Sequence, residues 1–197
     1  MSIKLLTALS LCSLLSSCGN GTPIRPILSE LPNTSQAVPI EVIPPPEPAA
    51  ATIPNYNFMV MRPTTITNRF GNPLYELQMF ADGKLIASVL TVSGRAHTQS
   101  RNRNQSGTEA PLPNGKYTVS RQWVAGSSAE VGGRFLPINP QFNTGRFALG
   151  IHYDPSFERN PKEDGTEGCI ATTNKQDLDV VLAFVRIHKP HYLNVSI

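Results

Sequence analysis

The distribution of proline constrains this chain most. Of its 197 residues 18 are proline, and half of those fall between residues 19 and 56, with PPPEP at 44–48. Proline fixes φ and donates no backbone hydrogen bond, so such a stretch builds neither a helix nor a sheet ladder. It is expected to be an extended, solvated tether, and any hydrophobic core must come from residues 57–197. A chain with 40% hydrophobic and 16% charged residues has enough apolar surface for one such domain.

That domain reads as mainly β, a β-rich α+β chain. In YELQMFADGKLIASVLTV, Tyr75, Leu77 and Met79 alternate with Glu76 and Gln78, and Asp82-Gly83 marks a two-residue hairpin turn before a second strand ending at Val92. PLPNG predicts a turn before a strand over Tyr117–Trp123, and RFALGIH predicts another ending at His152. GSSAEVGG offers only Val131 for packing and is expected to be a mobile loop. One helix is clear. Leu178, Val181, Leu182 and Val185 recur at helical spacing, Thr173 and Gln176 suggest a capping box, and Pro190 stops it. Leu193, Val195 and Ile197 alternate in a final strand.

Residues 1–17 have the pattern of a leader. Lys4 precedes LLTALSLCSLL, an apolar run that suits a signal peptide and is too short for a permanent span. LSSC follows, and the stretch resembles a bacterial lipoprotein signal in which Cys18 becomes the lipidated N-terminal residue. The alternative is ordinary secretion with a free Cys18. The resemblance implies a cell-envelope lipoprotein anchored through its N-terminal lipid, facing the periplasm or the outer face. Gly19 after the cysteine points to the outer membrane. With Cys12 in the leader and Cys18 lipidated, the folded domain keeps Cys169 alone. An unpaired cysteine in an oxidising compartment is either packed and inert or kept for chemistry.

Cys169 sits in DGTEGCIATT, and His152 lies 17 residues upstream at the end of an apolar strand. YDPSFERNPKEDGT between them is a loop, so if the flanking strands are neighbours, imidazole and thiol meet at one sheet end. A thiol becomes a useful nucleophile when a base can take its proton. Gly168 would let a substrate carbonyl approach the backbone. The amides around the cysteine would supply an oxyanion hole. A formal net charge of +3 does not suggest a nucleic-acid partner.

HYD…DGTEGCIATTNKQDLDVVLAFV resembles the active-site segment of L,D-transpeptidase catalytic domains, matching at His152, Thr166, Gly168, Cys169 and Ile170. TEAPLPNGKYTV is similar to that family's Thr-Pro-x-Gly-x-Phe/Tyr segment, at Pro111 or Pro113, Gly115 and Tyr117. The chain departs from the family at Glu167 (usually histidine), Ala171 (usually arginine) and Tyr153 (usually glycine). The resemblance implies an L,D-transpeptidase-like β-sandwich or barrel over residues 57–197. It also implies acyl transfer on peptidoglycan stem peptides. Cys169 would attack and release the terminal D-alanine, His152 would be the base, and the Gly168 and Cys169 amides would hold the oxyanion. Glu167, Thr166 and Tyr153 would orient substrate, and no metal or cofactor would be needed. Two alternatives stay open: a carboxypeptidase or hydrolase on the same stems, and a lipoprotein that binds peptidoglycan without turnover.

Other residues have plainer readings. His97 and the nearby Arg95, Arg101 and Arg103 suit a solvated face. His188 and His191 could form a metal pair but lack further ligands. Glu167 or Asp154 could orient His152. Trp123 and Phe135 read as core or loop anchors rather than sugar platforms.

Overall fold

The structure, a computed structural model, describes residues 55–197. The leader, Cys18 and nearly all of the proline-rich tether lie outside the described residues. The elements, in chain order, are β1 (Phe58–Thr67), β2 (Pro73–Ala81), β3 (Lys84–Val92), β4 (Gly115–Val119), β5 (Val124–Ala125), β6 (Arg134–Pro140), β7 (Gly150–Tyr153), β8 (Ile170–Thr172), α1 (Lys175–His188) and β9 (Leu193–Val195). The fold is mainly β, as the alternating patterns require.

The strands lie in the order β4-β9-β1-β2-β3-β8-β7-β6-β5, and β4 also pairs with β6. That last pairing joins the two ends of an eight-strand run into a ring, with β5 added outside it on β6. Closure removes the exposed edges that an open sheet would leave. Met59, Met61, Leu77, Met79, Leu136, Ile138, Ile151, Ile170 and Leu193 are all 0–1% exposed and form one apolar cluster. Leu178, Val181, Phe184 and Val185 of α1 pack against the same cluster. Their spacing puts them on one face of the helix.

The β2–β3 hairpin turns where expected. Ala81 pairs with Lys84, and Asp82 and Gly83 have φ of +48° and +72°, the two left-handed residues of a tight hairpin turn. The helix begins one residue later than its expected cap. Asn174, not Thr173, is the N-cap and accepts from the Asp177 amide at 2.8 Å. Asparagine caps as well as threonine, and two adjacent capping residues leave the register open in sequence. The strand expected over Tyr117–Trp123 stops at Val119, and β7 takes only the last three residues of its expected run and extends one further, to Tyr153. Ile197 lies beyond β9. β6 and β1 carry no expectation from sequence. In β6 two prolines hide the alternation of buried Leu136 and Ile138, but a proline loses only a donor, and the Pro137 carbonyl still accepts from the Ser120 amide at 2.9 Å.

Candidate active site

β7 and β8 are adjacent and parallel, with Ile151 opposite Ile170 and His152 opposite Ala171. Side chains alternate along a strand, so Cys169, the residue before β8, falls on the same face as His152, two positions along. Strand spacing and rise put the two Cα atoms roughly 8 Å apart. Both residues line one cleft of about 570 Å³. The long loop from Asp154 to Gly168 thus returns the chain to the strand it left. Asp154 accepts from Ser156 and from the Gly165 amide, and Asp164 accepts from the Asn68 side chain and the Glu158 amide. Neither carboxylate touches His152, so Asp154 organises the loop rather than the imidazole.

His152 is 1% exposed. Its Nδ1 lies 3.0 Å from the Tyr153 carbonyl oxygen, which can only accept, so Nδ1 carries the hydrogen and Nε2 keeps the lone pair. Burial holds the imidazole below its ordinary pKa, with the Tyr153 carbonyl opposing, and a neutral ring is the form a general base needs. Phe135 stacks near it, with ring centroids 6.3 Å apart. Tyr153 therefore orients the base through its backbone. Its side chain is buried and is not among the cleft-lining residues.

The turn that presents Cys169 is tied by Thr166. Its hydroxyl donates to the Cys169 carbonyl at 2.9 Å and accepts from the Gly94 and Gly168 amides, each at 3.0 Å. Thr166 is wholly buried, so it positions the cysteine and does not meet substrate. Its bond to Gly168 also corrects the expected oxyanion hole. The Gly168 amide is already committed, while the Cys169 amide has no partner among the described residues.

Gly168 serves a different purpose from the one expected. Its φ is +112°, and a Cβ built there would lie 1.7 Å from Nη2 of Arg146. The space is filled by a guanidinium, not left for a substrate carbonyl. Arg146 is 7% exposed and donates to the carbonyls of Glu167, Ala110 and Arg103, with no carboxylate partner among the described residues. Glu167 is exposed at the cleft, and its backbone is gripped from both sides: Arg146 holds its carbonyl, and a Glu130 carboxylate oxygen accepts from its amide at 3.0 Å.

Glu130 belongs to GSSAEVGG. That segment forms a short 3-10 turn over Ala129–Val131, and its Gly126, Ser127, Ser128, Glu130 and Val131 line the cleft. The expected loop is thus a rim to the cysteine. Burial raises the pKa of Glu130 and the Glu167 amide opposes this.

The thiol is partly accessible yet densely surrounded, and it lies 3.8 Å from the Ala148 carbonyl. Burial pushes its pKa up to about 11, with Glu130 and Glu167 adding to the rise and the Gly150 amide and Arg146 opposing it. Burial thus disfavours the charged form of each group, thiolate and imidazolium alike.

Sequence reasoning passed over Arg146 and Glu130. Each left one signal: Arg146 is the single charge in the apolar run before β7, and Glu130 is the single charge in its glycine/serine loop. Trp123 is half exposed, not a core anchor, and Arg103 is half buried, donating to the Ile197 carbonyl at 2.8 Å rather than standing on a wet face. His97 is exposed near Glu109, while His188 packs on Phe184 and His191 on Tyr56. Among the described residues no three His, Cys, Asp or Glu side chains cluster as a metal site. No helix among them is long and apolar enough to cross a membrane.

Fold and site together define a closed, mainly β domain with a cysteine–histidine cleft. No family model, curated protein or solved structure matches the chain.

Proposed function

We propose that this protein is a cysteine acyltransferase of the L,D-transpeptidase type, acting on peptidoglycan stem peptides from a lipid anchor at Cys18 in the cell envelope. The observation that carries the proposal is the juxtaposition of Cys169 with His152 on one face of neighbouring parallel strands, open to one cleft. A packing cysteine has no need of a base beside it.

In this reading Nε2 of His152 takes the thiol proton as Sγ attacks the carbonyl of the third stem residue. The C–N bond to the terminal D-alanine breaks, and that amine leaves with the proton from His152. The product is a thioester on Cys169. An amine of a second stem then attacks the thioester, gives its proton to His152, and restores the thiol as a new amide forms. A nucleophile of raised pKa fits general-base catalysis, in which the proton moves as the new bond forms, rather than a preformed thiolate. The Cys169 amide is the available donor for the oxyanion, and the Arg146 charge beside the thiol favours anion there.

A second reading has its own observation. The Glu130 carboxylate already occupies the Glu167 amide, and the resting thiol has no hydrogen bond to His152, as in a lipoprotein that holds stem peptides without turnover. Incubating the domain with purified tetrapeptide muropeptides and weighing the products separates the cases. Cross-linked dimers with released D-alanine support transpeptidation. Tripeptides alone indicate that water is the acceptor, and unchanged muropeptides that co-sediment with the protein indicate a binder.

A further inference from the structure

A groove of about 660 Å³ lies between the β5–β6 ribbon and α1. Arg134 and Leu136 of β6 line it, whereas Phe135 lines the cysteine cleft. By strand alternation the two concavities lie on opposite faces of one ribbon. From α1 the groove takes Asp179, Leu182, Ala183 and Arg186, a helical stripe at i, i+3, i+4 and i+7.

The charge of this groove is one-sided. Four cations line it, Arg121, Arg134, Arg186 and Lys189, against the single carboxylate of Asp179. Arg134 and Asp179 are paired at 2.6 Å. Arg121, Arg186 and Lys189 have no carboxylate partner among the described residues. Arg186 and Lys189 lie at the C-terminal end of α1, where cations complement the helix dipole. That accounts for two of the three, but not for Arg121, which comes from the segment before β5. Trp123, 49% exposed, supplies an aromatic surface beside them and is the chain's only tryptophan.

We propose that this groove binds a phosphorylated sugar. A pyranose ring presents C–H faces that pack on an indole, and a phosphate monoester carries about −1.5 to −2 charge at neutral pH, which suits two guanidiniums and an ammonium. A single exposed aromatic with no opposing ring gives a sugar one platform, but it does not sandwich a nucleobase.

Because the tryptophan is unique, its fluorescence reports on this groove alone. N-acetylglucosamine 6-phosphate should change the emission saturably. Uncharged N-acetylglucosamine should have no effect at ten times that concentration, and inorganic phosphate should bind about tenfold more weakly or less. Arg121→Ala and Arg186→Ala should each raise the midpoint about fivefold to tenfold with unchanged far-UV circular dichroism, and Cys169→Ala should leave it where it is. No saturable response overturns the proposal. Equal binding of inorganic phosphate, tighter binding of uridine monophosphate, or indifference to both arginine substitutions also overturns it. None of these results depends on Cys169 chemistry, so the site and the enzyme reading stand or fall separately.

Discussion

The floor and the rim of the cysteine cleft are built differently. The floor is the β7–β8 pair with the Thr166–Cys169 turn, and its geometry is fixed by buried bonds to backbone: His152 on the Tyr153 carbonyl, Thr166 on two amides and a carbonyl, Arg146 on three carbonyls. The rim is a glycine/serine loop closed by the Gly126 amide on the Gly133 carbonyl, with one carboxylate reaching the floor. A buried hydrogen bond is costly to break because the abandoned partner stays dry, whereas a group at the surface can turn to water. The contrast teaches that the floor sets where thiol and imidazole stand, while the rim adjusts the charge they feel.

The comparison is broken most severely at Gly168. Gly168→Ala forces a methyl onto the Arg146 guanidinium at a positive φ, and should cost about 3–5 kcal/mol in thermal or denaturant unfolding. Thr166→Val is next. It keeps the shape of the side chain but strands the Gly94 and Gly168 amides, and should cost about 2–4 kcal/mol in urea unfolding. A rim substitution of equal volume should do neither.

Acid probes the floor more gently. Burial keeps His152 neutral when folded, so its folded pKa lies below the value of about 6.5 it takes when unfolded. Between those two values the unfolded chain binds the extra proton. The His152 contribution to stability is therefore full above about pH 6.5 and declines as pH falls from there towards the folded pKa. His152→Gln should flatten that part of the stability profile. Thiol alkylation by iodoacetamide should be slower than that of a free peptide thiol at pH 7, since the folded pKa is pushed up to about 11.

The smallest effect isolates the rim. Glu130→Gln keeps an acceptor for the Glu167 amide while removing the negative charge that opposes thiolate formation. Stability should change by under about 1 kcal/mol, and alkylation of Cys169 should speed up about threefold to fivefold. A slower reaction would mean that the rim shapes the thiol by contact rather than by charge.

Much of the floor was legible in sequence because it follows from chain order: a histidine ending an apolar run, a polar loop, and a cysteine opening the next run must meet if the two runs are neighbours. The hairpin at Asp82-Gly83 and the helical stripe of α1 were legible for similar reasons, since turn chemistry and periodicity are local. Arg146, Glu130 and the committed Gly168 amide were not. Arg146 reaches Glu167 across 21 positions and Glu130 reaches it across 37. Long-range partners of this kind are chosen by the closed ring of strands, not by local pattern. Trp123 misled because a large aromatic is usually buried, and only the short β5 at the outside of the ring leaves it half exposed.

The central claim is that Cys169 is a nucleophile served by His152, and intact-mass spectrometry of the protein quenched during incubation with a tetrapeptide stem tests it most directly. The account predicts an adduct on Cys169 equal to the stem's tripeptide acyl group. The adduct should be absent in Cys169→Ala and should form about a hundredfold or more slowly in His152→Ala. A native protein that never acquires the adduct, and whose Cys169 is alkylated only after denaturation, would contradict the account and make this cysteine a packing residue.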